Sequence, residues 1–124
     1  MNATQLVERY LETWNQTDAD ARLTSVASVW TDNGRYVDPM ADVEGRDQIS
    51  DLIGSVQHRV PGHVFRLLDG TGGVDAHHNV LRFSWELVPA SGGEPVAIGS
   101  DVAIIDGDGR LDSVVGFLDK APAA

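Results

Sequence analysis

The sequence predicts an α+β domain, with three helices packed on one face of a mainly antiparallel sheet. Apolar residues recur at helical spacing in three segments before about residue 60, and the period becomes that of strands after it. Gly-rich turns then divide the second half into a four-strand meander. The length of 124 residues is that of one domain, with no repeat, linker or break in composition. Residues 1–120 are assigned to it, and APAA at 121–124 to a disordered tail.

In the first helix, Leu6, Val7, Tyr10, Leu11 and Trp14 form one stripe, with Glu8, Arg9 and Glu12 on the other side. Asn2 followed by Gln5 reads as its cap. A second helix is expected from about Asp18, capped by Thr17, to Val29, with Leu23, Val26, Ala27 and Trp30 facing inward. TDNG then breaks the chain, and Arg35 to Asp38 reads as a short strand ended by Pro39. Alternation puts Tyr36 and Asp38 on one of its faces, Arg35 and Val37 on the other. GRDQISDLIGSVQHRV is the third helix, with Ile49, Leu52, Ile53, Val56 and Val60 on its stripe and Pro61-Gly62 as its stop. The strands that follow are HVFRLLD, HHNVLRFSWELV, PVAIGSDVAII and RLDSVVGFLD, separated by DGTGG, ASGGE and DGDG.

Composition removes several classes of function. A net charge of −10 opposes nucleic acid and anionic membranes, both of which need a basic surface. No apolar run approaches the roughly 20 residues that span a bilayer. The N-terminus lacks a basic region followed by an apolar one, so a cytoplasmic protein is expected. There is no Cys for disulfides or thiolate metal sites. His58, His63, His77 and His78 do not fall at ligand spacing, and adjacent His77 and His78 point to opposite faces of a strand. DGDG lacks the rest of a calcium loop and reads as a hairpin turn. No Gly-rich loop joins a strand to a helix as nucleotide binding requires. Neither metal nor cofactor is expected.

Asp101 breaks a pattern. The strand PVAIGSDVAII is apolar on both faces, which marks it as covered on both sides, yet it carries an acid at its centre. A buried carboxylate either pairs with a cation or becomes neutral, because desolvation disfavours its charge. Register decides between these. If Gly92-Gly93 form a two-residue turn, Asp101 lies opposite Ser84 with Arg82 and Glu86 diagonal to it, and a salt bridge to Arg82 is within reach. If Ala90 to Glu94 form a five-residue loop, it lies opposite Phe83, flanked by Leu81 and Trp85.

The element order, with VERYLETWN, VWTDNGRYVDP, VEGRDQI and GDGRLDSVVGF in their places, resembles the cone-shaped α+β superfamily of nuclear transport factor 2, scytalone dehydratase, ketosteroid isomerase and the SnoaL-like polyketide cyclases. The resemblance covers nearly the whole chain. It implies a curved sheet enclosing an apolar pocket, and a homodimer. The ketosteroid isomerases give the most specific comparison: a helix-one Tyr, an Asp before a Pro on the first strand, and an Asp on a late strand. Tyr10, Asp38 and Asp101 match them. By that resemblance Asp38 is a base, and Tyr10 with a protonated Asp101 forms an oxyanion hole. Limonene epoxide hydrolase, another relative, uses Asp-Arg-Asp on its strands. Here Arg82 can stand for the Arg but Ser84 stands where the first Asp belongs, which sets that chemistry aside.

The resemblance thus implies a cofactor-free isomerase or cyclase moving a proton alpha to a carbonyl of a small apolar molecule. Trp14, Tyr36, Met40, Ile53, Phe65, Arg82, Trp85 and Phe117 are expected around the substrate. Two alternatives share the fold: a ligand-binding protein without chemistry, with Asp101 ionised beside Arg82, and an interaction module dimerising through the outer face of its sheet.

Overall fold

The structure is a computed structural model that describes residues 1–68 and 73–121. The turn expected at 69–73 lies outside these except for Gly73, and the tail expected at 121–124 lies outside them except for Ala121. The elements run α1 (Ala3–Asn15), α2 (Ala19–Val29), β1 (Trp30–Asp38), β2 (Ala41–Glu44), α3 (Arg46–Arg59), β3 (His63–Leu67), β4 (Asp75–His77), β5 (Val80–Pro89), β6 (Ala97–Ile105) and β7 (Leu111–Lys120). One mixed, mostly antiparallel sheet has the order β2-β1-β7-β6-β5-β3, with β4 paired to β5. Among the described residues only β1 and β7 run parallel.

The first helix starts where its cap predicts. Asn2 Oδ1 accepts from Gln5 N at 2.8 Å while Asn2 N donates to Gln5 Oε1 at 3.0 Å, a reciprocal box that satisfies two groups at the helix start. The second helix departs from expectation at its cap and its stripe. Asp18, not Thr17, is the cap, accepting from Ala21 N at 2.9 Å. Leu23 is exposed, and Arg22 is buried in its place. The Arg22 Nε donates to Ser50 O at 3.1 Å, and its Nη1 donates to Gln16 O at 3.1 Å and Gln57 Oε1 at 3.0 Å. The guanidinium fits beside α3 because residue 54 is Gly; a Cβ there would lie 2.7 Å from Nη2.

Two strand boundaries also move. The first strand starts at Trp30, directly after α2, and TDNG lies inside it, where the register with β7 shifts between Trp30 and Arg35. Gly34 is required where the Trp30 indole crosses the backbone. HHNVLRFSWELV is not one strand: His78 and Asn79 turn between β4 and β5, with His78 at φ 51° and His77 paired to Val80. A tight hairpin of this kind needs left-handed backbone, which Asn and His tolerate better than most residues.

The register between β5 and β6 pairs Phe83 with Asp101 and Leu87 with Ala97. It is the register of the five-residue alternative, with the ladder ending two pairs earlier. Leu81, Phe83, Ala103 and Val114 therefore face the helices, joining Val7, Val26, Val29, Trp30, Ile49 and Ile53 in one core. Among the described residues no helix is long and apolar enough to cross a membrane.

Candidate active site

At one end of the core the side chains stop meeting and leave a cavity of about 240 Å³. Most of its lining is apolar or aromatic, with Tyr10, Tyr36, Asp38, Arg59 and Asp101 as the polar side chains among them. The sheet order explains why the two acids meet there. β7 lies between β1 and β6. Asp101 on β6 is opposite Gly116 on β7, and Asp38 follows the last β1–β7 pair, Val37 with Val115. Both acids lean over Gly116. A Cβ at that position would lie 2.8 Å from Asp101 Oδ1, 3.5 Å from Asp38 Cβ and 3.7 Å from the Tyr36 hydroxyl. The glycine is what leaves room for two carboxyl groups above the strand.

Their surroundings differ. Asp101 is 3 % exposed. The Trp85 Nε1 donates to its Oδ1 at 3.3 Å and the Tyr10 hydroxyl donates to its Oδ2 at 3.4 Å. Burial pushes the Asp101 carboxyl from the ordinary 3.8 up to about 7. The hydrogen bonds from Trp85 and Tyr10 pull it down, the nearby Asp38 charge adds to the rise, and desolvation outweighs both. Asp38 is only half-buried, and its oxygens accept from the Tyr36 hydroxyl at 2.8 Å and from Met40 N at 2.9 Å. The Tyr10 hydroxyl is held well above the ordinary range by burial and by the Asp101 and Tyr36 charges. Tyr36 is held there by burial and the two aspartates. Both phenols are therefore donors at neutral pH.

An aromatic wall completes the cavity. Trp14 packs on Tyr36 and on Phe65 with centroids 5.4 Å apart in each case, and Phe65 packs edge-on against Trp85 at 5.2 Å. Trp85 lies across Gly99, where a Cβ would strike the indole and stand 2.8 Å from Phe117 O.

The structure thus brings Tyr10, Asp38 and Asp101 to one cavity, together with Trp14, Tyr36, Met40, Phe65, Trp85 and Phe117. Phe117 sits at its edge and is 56 % exposed, because alternation along β7 turns it outward with Val115. Two expected residues are elsewhere. Ile53 is fully buried in the core between α3 and its neighbours, since the apolar stripe of α3 is broader than the part that reaches the cavity. Arg82 pairs with Val102 on the outer face of the sheet, and its exposed guanidinium reaches Asp75 at 3.2 Å. No Asp101–Arg82 bridge forms, because residues of opposite parity on paired strands point to opposite faces. The sequence reading missed Leu11, Pro39, Val56, Arg59, Val60, Leu87, Ala97, Gly116 and Leu118 in the lining. For Gly116 a signal existed: an isolated Gly within a strand marks close approach by another group. Among the described residues no cluster of three metal-ligating side chains occurs.

A helical layer closing one mouth of a curved sheet, with acids facing the space between, defines a nuclear transport factor 2-like cone. Within that class the SnoaL-like domain matches residues 7–113, and the chain belongs to that family. A candidate isomerase of the SnoaL-like family from Agrobacterium tumefaciens is 40 % identical, with a TM-score of 0.85 over 93 % of this chain and 95 % of that one. A SnoaL-like protein of unknown function from Burkholderia thailandensis is 16 % identical, with a TM-score of 0.70 over 94 % and 93 % of the two chains. A candidate SnoaL-like polyketide cyclase from Jannaschia is 18 % identical, with a TM-score of 0.68 over 94 % and 86 %. The last two share the fold alone. No curated protein matches the chain in sequence.

Proposed function

We propose that the cavity is the active site of a cofactor-free isomerase or cyclase that moves a proton alpha to a carbonyl of a small apolar molecule. One observation carries the reading: two carboxyl groups face one apolar cavity from environments that separate their roles. Asp38 takes the proton from carbon, and the electron pair passes into the carbonyl oxygen. The protonated Asp101 and the Tyr10 hydroxyl donate to the oxyanion that forms. The contacts of 3.3 and 3.4 Å around Asp101 are long, so exchanging one for a substrate oxygen costs little. Asp38 then returns the proton to another carbon, or the enolate carbon attacks a second carbonyl, whose oxygen gains the π electron pair and takes the proton from Asp38 as the ring closes. The similarity to a candidate isomerase supports the reaction class.

Asp38→Asn tests this. Turnover of enone and β-dicarbonyl substrates should fall by about 10²–10⁴, while ligand affinity stays within a few-fold. Unchanged turnover defeats the assignment. Affinity for these compounds with no turnover in wild type points to a binding protein of the same fold. The reading includes a cytoplasmic homodimer, joined through the face of the sheet opposite the helices.

A further inference from the structure

Arg59 has no use in the chemistry above, yet it lines the cavity. It ends α3, one residue before Val60 and three after Val56, which also line it. Among the described residues it is the one cationic side chain in that lining. The chain holds 19 acidic residues against nine basic ones; Arg35, Arg46, Arg66 and Arg82 have carboxylate partners, and of the basic residues without one Arg59 alone lines the cavity. Among the described residues Arg59 has neither an ion pair nor a side-chain hydrogen bond. A guanidinium presents five donors in a fixed fork suited to a planar anion. Depth is ordered as well. Asp101 is buried at the floor, Asp38 is half-buried, and Arg59 is exposed, as are Pro39 and Met40 in the same lining.

We infer that Arg59 selects the substrate: the cavity takes a small apolar carbonyl compound that also carries a carboxylate, with the carbonyl at the floor and the carboxylate at Arg59. The orientation rests on the proton-transfer reading; the preference for a carboxylate does not. Charge argues for it. A neutral apolar ligand needs no cation in the wall. An anionic one entering a cavity with two acids, on a chain of net charge −10, needs a local cation and a position away from those acids. Size agrees, since about 240 Å³ is below the roughly 300–1,000 Å³ of sites for drug-sized ligands. The apolar wall takes the body of the molecule, and the guanidinium fixes which end enters last.

The test compares naphthalene-2-acetate with its neutral amide, naphthalene-2-acetamide, each titrated into the protein by isothermal calorimetry. Wild type should bind the carboxylate at least tenfold more tightly than the amide. Arg59→Gln should remove that preference by weakening the carboxylate alone, and Arg59→Lys should keep part of it. Arg9→Gln, an exposed cation outside the lining, should leave the ratio unchanged and so controls for net charge. Equal binding of the two probes by wild type, or a preference that survives Arg59→Gln, overturns the inference and leaves the proton-transfer reading standing. If neither probe binds at millimolar concentration, both the inference and the apolar-ligand reading fall. Unchanged turnover in Asp38→Asn with the carboxylate preference intact separates the two claims in the other direction, defeating the proton-transfer reading and leaving the inference standing.

Discussion

Asp101 has two titration consequences, one for stability and one for catalysis. Its folded pKa of about 7 is raised above the ordinary 3.8. Between those values the native state holds a proton that the unfolded chain releases, so stability from this group is full below about 4 and is lost as pH rises through about 7. Above that, the fold carries an ionised carboxylate in a desolvated wall. Asp101→Asn, whose amide oxygen still accepts from Trp85, should therefore be more stable than wild type at pH 8 by a few kcal/mol. The gain should vanish near pH 4, as urea unfolding at the two pH values will read. Catalysis follows the same direction with pH, although the substitution that stabilises the fold slows the reaction. Turnover should decline as pH rises through about 7, where the oxyanion donor loses its proton, and Asp101→Asn should be slow with that limb abolished. A wild-type profile flat from pH 6 to 8 would show that Asp101 donates nothing in the transition state.

At the scale of elements, the cavity depends on how α1 is tied to β3. Asn15, the last residue of α1, acts as a substitute strand partner. Its Oδ1 accepts from Phe65 N and its Nδ2 donates to Phe65 O, both at 2.8 Å. Asn15→Ala leaves two backbone groups without partners, at about 1–3 kcal/mol each. A loss of about 2–4 kcal/mol in urea unfolding is expected, with weaker ligand binding, because Phe65 packs on both Trp14 and Trp85 in the cavity wall. A loss under about 0.5 kcal/mol would mean that water replaces the amide. Elements of this kind differ in how far the sequence reveals them. The helices were legible because a helix carries its own period and cap, as Asn2 and Gln5 show. Arg22 was not, because a charged residue inside the stripe is buried only when Ser50, Gln57 and the space at Gly54 are brought to it by α3. The start of β1 was hidden because TDNG has turn chemistry and interrupts the ladder with β7, so that only the pairing of Trp30 with Leu111 marks the strand before it. In the site, Asp101 was legible as a charge in an apolar strand. The errors at Arg82 and Ile53 came from what a single strand or helix cannot encode: register parity, set by the length of the loop after β5, and which part of a broad stripe reaches the cavity.

At the scale of the molecule, the sheet has two faces and the helices cover one. On the other, Val102 and Val115 are directly paired across β6 and β7, at 38 % and 39 % exposed, with Phe117 two residues further along β7. Strands at the centre of a sheet are the ones with most to gain from a second layer, and β7 and β6 are the two central strands of the six-strand path. A second copy placed on this face would make a self-complementary interface, since one apolar strip meets its own equivalent. It would also cover Phe117, which lies at the edge of the cavity, so assembly and ligand binding would be linked through that residue. Light scattering at about 10 μM should give the mass of a dimer. Val102→Glu with Val115→Glu should give a monomer with unchanged helix content, because neither side chain contributes to the core. Like charges set directly opposite across a strand pair cost only about 0.2–1 kcal/mol within the monomer, but a second copy would have to bury four of them. A wild-type monomer at that concentration removes the dimer. A double variant that remains dimeric moves the interface to another surface and leaves Phe117 free to act from the cavity rim alone.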